Sequence, residues 1–70
     1  MIQPEEIEKR FSYHAPKADQ LERYDVLRST AKQYAYLIVR LTPASREQSL
    51  ALTHLEEAVM QANAAIARNE

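Results

Sequence analysis

The 70-residue chain contains no glycine, and this absence constrains its fold more than any other feature of the sequence. Phosphate-binding loops and dinucleotide-binding turns use glycine for tight turns and close backbone approach, so these motifs are excluded. Two-residue β-hairpin turns are also disfavoured, because they need positive φ angles. Ala, Glu, Gln, Leu and Arg are abundant, and all five are strong helix formers. We therefore expect an all-α protein.

The composition excludes several other classes of protein. There is no cysteine, so disulfides and cysteine-based zinc motifs are absent, and the lack of thiols fits the cytoplasm. The formal net charge of -1 gives no long-range attraction to a nucleic-acid polymer or an anionic membrane. No apolar run approaches ~20 residues, so we expect neither a membrane span nor a signal peptide. The chain should form one small domain over residues 1–70.

Three prolines divide the chain into candidate helices. Pro4 suits the first turn of a helix, Pro16 disfavours helix in the residue before it, and Pro43 stops the helix that precedes it. The two longest segments would each span ~36 Å as helices, and the short break between them predicts an antiparallel helical hairpin. The expected order is a short helix over 1–11, a connector over 12–17, and long helices over 18–41 and 45–68.

Apolar residues recur every three or four positions in both long helices, which is typical of packed helices. The stripe on the first consists of Tyr24, Leu27, Ala31, Tyr34, Ile38 and Leu41, and that on the second of Leu52, Leu55, Val59, Ala62 and Ile66. Leu21, Val26 and Tyr36 lie on other faces of the first helix. A hairpin covers only one of these faces, so we expect a homo-oligomer, in a number of copies that the pattern does not give.

Two N-terminal caps are compatible with the last helix. Thr42 would cap it with Pro43 at the first helical position, whereas Ser45 would cap it with Gln48 closing a capping box. The sequence leaves both open.

The connector is unusually rich in rings for a link between helices, reading FSYHAPK at 11–17. Tyr13 and His14 would offer a stacking ring and a polar contact to a flat ligand, held in place by the stiff turn at Pro16. The alternative is a connector whose rings only pack against the hairpin.

Three basic residues are candidates for binding an anion. Arg28, with Lys32 one turn later, could hold a phosphate through its planar guanidinium. The alternative is a surface arginine paired with Glu22 or Asp25. Arg46 lies at a helix N-terminus, where backbone N–H groups attract anions, and the alternative there is a solvated first turn.

Neither a metal site nor a catalytic site is indicated. His14 and His54 are 40 residues apart, and neither has a second histidine at ligand spacing. Glu56 and Glu57 are adjacent, so on a helix they point roughly 100° apart and cannot act as a pair. We expect no catalytic residue, no metal and no cofactor, and a protein that is not an enzyme.

Two stretches of the sequence resemble a known family: RFSYHAPK at 10–17 and SREQSLALTHLEEAVMQANAAIARNE at 45–70. Together they are similar to the second type of phage anti-CBASS sponge, which shares a helical-hairpin domain with an anti-Thoeris sponge. The resemblance implies a homohexamer of helical hairpins acting in the host cytoplasm. It also implies binding and sequestration of cyclic dinucleotides such as cyclic GMP-AMP between protomers, without cleavage. Some members also bind cyclic trinucleotides at separate three-fold pockets.

The resemblance also implies roles for single residues. Tyr13 matches the family's base-stacking tyrosine, and Arg28 falls where the family places a basic side chain, often lysine, on the ligand phosphate. His14, Pro16 and Lys32 complete the expected dinucleotide site. Thr30 matches a position of the trinucleotide pocket, with Arg46 as its basic partner. The alternative function is a non-enzymatic adaptor that binds a protein partner through its exposed apolar faces.

Overall fold

Three helices and no strands form the protein in the computed structural model, which describes residues 1–70. Helix α1 spans Pro4–Phe11, α2 spans Gln20–Leu41 and α3 spans Arg46–Asn69. The expectation of an all-α chain is confirmed. Helices α2 and α3 pack against each other as the two arms of an antiparallel hairpin. Helix α1 lies at the open end of this hairpin, where the last turn of α3 reaches its backbone.

Helix α1 begins and ends as its sequence suggests. Pro4 occupies its first turn, where the missing N–H would have no partner, and acidic residues follow it at the positive end of the helix dipole. Ser12 ends the helix, because its backbone N–H donates to the carbonyl of Glu8 at 3.1 Å and its φ and ψ angles are extended. The connector therefore leaves α1 in an extended direction.

Helix α2 begins at Gln20, two residues later than the expected start at 18. The reason lies in the turn that precedes it: Ala18 has a φ of 50°, in the left-handed region that costs a residue with a Cβ roughly 1–2 kcal/mol. Asp19 occupies the cap position, but its side chain makes no capping hydrogen bond and instead pairs with Arg23, Oδ2 to Nε at 3.2 Å. Other contacts must offset the cost at Ala18.

The turn between α2 and α3 decides between the two possible caps. Ser45 caps α3, since its Oγ accepts the backbone N–H of Gln48 at 3.1 Å. Thr42 instead ends α2, and its backbone N–H and Oγ both donate to the carbonyl of Ile38. The side chain of Gln48 does not return to Ser45 as a capping box requires. Its Nε2 donates to the carbonyl of Thr42 at 3.1 Å, which ties the start of α3 to the end of α2.

The apolar stripe of α2 differs at two positions from the expected one. Tyr34 is 53% exposed and Leu41 is 69% exposed, so neither packs in the hairpin. Ala31 and Ala35 are half-buried, as is Ile38. Helix α3 lies over this alanine side of α2, because small side chains let two helix axes approach each other.

The isolated chain has no hydrophobic core. Its accessible surface is 5831 Å², whereas a monomer of 8.1 kDa typically exposes about 4,500 Å². Its radius of gyration is 15.4 Å, against about 11 Å for a compact domain of this length. The shape is a slab of 45 × 32 × 12 Å, with no apolar side chain fully buried. No helix is long and apolar enough to cross a membrane.

Candidate ligand-binding cleft

An open cleft of about 440 Å³ lies where the connector, the first half of α2 and the last turns of α3 meet. We call it the connector cleft. Its volume is within the range of ~300–1,000 Å³ typical of small-molecule sites. It is lined by Arg10, Ser12, Tyr13, His14, Tyr24, Arg28, Asn63, Ala64, Ala67 and Arg68. Three of the five residues expected to bind a cyclic dinucleotide are therefore brought together in one place.

Tyr13 presents its ring to this cleft almost free of contacts. Its side chain is 86% exposed, so it does not pack against the hairpin as the alternative interpretation required. An exposed aromatic ring on an ordered backbone is a surface on which a planar group can stack.

His14 holds the connector against α1. Its Nε2 lies 2.9 Å from the carbonyl oxygen of Lys9, and because a carbonyl can only accept, Nε2 carries the hydrogen and donates it. The carbonyl of Lys9 is one of the last four of α1, which have no partner within the helix. This bond fixes the direction of the connector immediately after Tyr13.

Arg68 connects α3 to the same helix end. Its Nη2 donates to the carbonyl of Arg10 at 3.3 Å, across 58 positions of sequence. Two side chains of the cleft, His14 and Arg68, therefore satisfy carbonyls at the C-terminus of α1. The end of α1 is joined to the hairpin by polar contacts rather than by a packed apolar face.

The charge of the cleft is opposite to that of the chain. Its lining contains Arg10, Arg28 and Arg68 and no carboxylate, whereas the whole chain has a formal net charge of -1. Arg10 pairs with Glu6 at 3.1 Å and Arg28 with Asp25 at 3.0 Å, both on the surface. Exposed pairs of this kind contribute about 0–1 kcal/mol, and each guanidinium keeps further N–H donors. An anion can therefore recruit these arginines at little cost.

Asn63 adds an unpaired polar group to the lining. Its Oδ1 is buried and has no hydrogen-bond partner. A buried acceptor without a partner costs about 1–3 kcal/mol. The neighbouring residues Ala64 and Ala67 are small, so the floor of the cleft next to Asn63 is formed by helix backbone and methyl groups.

Comparison with known proteins identifies the family. A protein-family model described as "Acb2/Tad1, hairpin domain" matches residues 3–67. The chain belongs to this family. The resemblance seen in the two sequence stretches is thereby confirmed, and so is the hairpin domain. No curated protein matches the chain. No solved structure matches it either.

The other two residues expected at the dinucleotide site of an Acb2/Tad1 hairpin lie outside the connector cleft. Lys32 lines a second, mostly apolar cleft of about 570 Å³ between α2 and α3, which it shares with Arg28. Pro16 is exposed in the connector and contributes stiffness rather than a surface. Arg28 is therefore the residue that links the two clefts.

The two residues expected at a trinucleotide pocket are not brought together within one chain. Thr30 lies near the middle of α2, in a third cleft of about 310 Å³ with Tyr34, Tyr36 and Arg40. Arg46 begins α3 beyond the end of α2, so roughly 16 Å of helix separates it from Thr30. A common pocket would need these residues from different copies of the chain.

Sequence reasoning missed seven of the ten residues of the connector cleft, including Arg10, Tyr24, Asn63 and Arg68. Tyr24 belongs to the apolar stripe of α2, where it is half-buried, and it also lines the cleft. Asn63 lies within the stretch of small residues at 62–67, and Arg68 directly follows it. The antiparallel hairpin brings this end of α3 next to the start of α2. This juxtaposition is the signal that could have identified both.

No three His, Cys, Asp or Glu side chains are grouped as a metal site requires. The arrangement as a whole offers rings and hydrogen-bond donors.

Proposed function

We propose that this protein is a sponge that binds and sequesters cyclic dinucleotides, such as cyclic GMP-AMP, without cleaving them. The observation that carries the proposal is the lining of the connector cleft: three arginines, two tyrosine rings and no carboxylate in a chain of net charge -1. Membership of the Acb2/Tad1 hairpin family supports the same class of binding protein.

Tyr13 would stack on one base of the ligand. Stacking between a base and an aromatic side chain is typically worth ~1–3 kcal/mol. The hydrogen bond from His14 to Lys9 and the stiff Pro16 would hold the ring near its bound position, so that little further ordering is needed on binding.

The arginines would neutralise the two phosphates of the cyclic backbone. Arg28 projects from α2, while Arg10 and Arg68 come from α1 and α3, so the cleft offers guanidinium groups from three different helices. A planar guanidinium can donate two parallel N–H bonds to one phosphate, which fixes orientation as well as charge. Lys32, one turn beyond Arg28, would reach the same ligand from the adjoining cleft.

A second copy of the chain would complete the site. The connector cleft is open, whereas small-molecule sites usually bury 70–90% of the surface of their ligand. The excess surface and the absence of a core in the isolated chain also favour association. We propose a homohexamer, as the family implies, with Thr30 and Arg46 of different copies meeting at a separate pocket for a cyclic trinucleotide.

Sequestration would lower the free concentration of the signal nucleotide in the host cytoplasm and so blunt CBASS immunity. The exposed faces at Phe11 and Tyr36 favour the second candidate, an adaptor that binds a protein partner. The two functions differ in what they predict for added nucleotide, because only a ligand of the folded protein raises its stability.

The test is calorimetric titration with cyclic GMP-AMP and, separately, with cyclic tri-adenylate. It is followed by heat release of the ligand and chromatography. A sponge binds and returns the ligand intact. At a hundred times the dissociation constant, binding adds about 2.7 kcal/mol of stability, which is roughly 10 °C or more in Tm for a domain of this size. Absence of heat with both ligands would favour the adaptor, and recovery of a linear product would indicate a hydrolase.

A further inference from the structure

Gln20 is the only buried residue of the chain, with 3% of its surface exposed. Both ends of its amide group are used. Its Oε1 accepts the backbone N–H of Lys17 at 3.1 Å, and its Nε2 donates to Oε1 of Glu70 at 3.1 Å. A polar side chain with both ends paired, in a chain that buries no apolar residue, indicates a specific structural demand at this point.

Glu70 is held on its other side by Arg23. The Arg23 Nη1 donates to Glu70 Oε2 at 2.7 Å, and Nη2 donates to Oε1. The hydrogen bonds from Arg23 and Gln20 lower the pKa of the Glu70 carboxyl to about 2, so it is charged at neutral pH. Arg23 also pairs with Asp19. We call the group formed by Gln20, Arg23 and Glu70 the clasp.

The clasp joins three parts of the chain. Gln20 and Arg23 lie in the first turn of α2, Glu70 follows α3, and Lys17 is the last residue before the left-handed turn at Ala18. The clasp therefore fixes the end of the connector on the open end of the hairpin. It also offsets the cost of the backbone conformation at Ala18, which no glycine relieves in this chain.

The connector has few other attachments. Residues 13–16 make no backbone–backbone hydrogen bond. The segment that carries Tyr13 is therefore held by His14 at its near end, through Lys9 of α1, and by Gln20 at its far end. Two bonds at Gln20 fix it relative to α2, the helix that carries Arg28: the side chain accepts the Lys17 N–H, and the backbone N–H donates to the Lys17 carbonyl at 3.0 Å.

We propose that Gln20 is a positioning residue: through the Lys17 N–H and the Glu70 carboxylate it sets the connector so that Tyr13 faces Arg28 across the cleft. This inference rests on the proposed function and extends it. Loss of the clasp should leave the hairpin folded but let the connector move. The ligand would then have to order the connector on binding, which lowers affinity.

Four variants test the proposal: Gln20→Ala, Gln20→Glu, Glu70→Gln and the double exchange Gln20→Glu with Glu70→Gln. Gln20→Glu alone places two carboxylates side by side and should weaken cyclic GMP-AMP binding at least tenfold, as should Gln20→Ala. The double exchange again gives one carboxylate and one amide. The carboxylate at position 20 accepts the Lys17 N–H, and the amide at position 70 donates to that carboxylate. We expect its affinity to return to within threefold of the original protein. Gln61→Ala, on the exposed surface of α3, is the matched control.

Hydrogen exchange separates positioning from a general loss of fold. In Gln20→Ala the Lys17 amide should exchange much faster, while the amides of α2 and α3 beyond their first turns keep their protection. Unchanged affinity in Gln20→Ala, a double exchange that fails to restore binding, or deprotection throughout α2 and α3 would each overturn the proposal. A separate titration of the original protein tests the proposed function itself. If that protein binds no cyclic nucleotide, the proposed function is wrong.

Discussion

Replacing Tyr13 by alanine tests the connector cleft most directly, because the ring does not help to hold the chain together. Tyr13 is 86% exposed, and its hydroxyl makes no hydrogen bond in the chain. Surface substitutions of this kind usually change stability by no more than about 0.5 kcal/mol. A change in ligand affinity can therefore be assigned to the ring itself rather than to unfolding.

The expected loss follows from base stacking. At ~1–3 kcal/mol per stacked base, removal of one ring weakens binding by about 5- to 150-fold, since 1.4 kcal/mol corresponds to tenfold. If two copies of the chain each stack one base of the same ligand, both rings are lost in the mutant oligomer. The factors then multiply, to about 30-fold at the least.

The measurement is calorimetric titration of Tyr13→Ala with cyclic GMP-AMP. Tyr13→Phe serves as one control, because it keeps the ring and should keep affinity within about threefold. His54→Ala removes an exposed ring from α3, outside the connector cleft, and should leave affinity unchanged. The oligomer should keep its size in all three variants. Affinity within twofold of the original protein for Tyr13→Ala would refute the stacking role.

Four further outcomes are expected. Arg28→Ala should weaken dinucleotide binding tenfold or more and reduce the salt dependence of binding. Arg40 also lies on α2, and Arg40→Ala should have neither effect. Equal effects of the two substitutions would contradict a specific phosphate contact. Ser45→Ala removes the cap of α3 and should lower stability by about 1 kcal/mol in thermal unfolding, against no change if the cap is unimportant. The original protein should have a higher free energy of unfolding than Glu70→Gln above pH 4.5, and this difference should disappear as the pH falls towards about 2, because the folded state lowers the pKa of Glu70. A difference that does not change with pH would exclude the ion pair. Light scattering at micromolar concentration should give a mass well above 8.1 kDa, and a monomer would contradict a site completed by a second copy.

The helices could be predicted from the sequence because their signals are local. Helix-forming composition, three prolines and apolar spacing of three and four residues are enough to indicate an all-α hairpin. The start of α2 could not be predicted as well. Asp19 is a good capping residue by type, but its carboxylate pairs with Arg23, and Ala18 takes a left-handed conformation that its residue type disfavours. Gln20 and Arg23, which begin the helix, also bind Glu70, which is some 50 positions away in sequence.

The cleft was predictable to the extent that its residues are close in sequence. Tyr13 and His14 stand in the connector, and Arg28 lies one turn from Tyr24 on α2, so sequence patterns single them out. Arg68 reaches the cleft only because α2 and α3 pack antiparallel, which brings the end of α3 beside the start of α2. Its own neighbours in sequence give no indication of a binding role.

The polar contacts of the connector explain how a chain without a core can still present an ordered site. His14 and Arg68 donate to carbonyls at the end of α1, and Gln20 accepts the N–H of Lys17, so the connector is held through backbone groups. Because the attachments use backbone atoms, the ring of Tyr13 is left free for a ligand. A connector held instead by packing its rings would have to release them in order to bind. The same logic applies to the arginines, whose exposed ion pairs are weak enough to be exchanged for a phosphate.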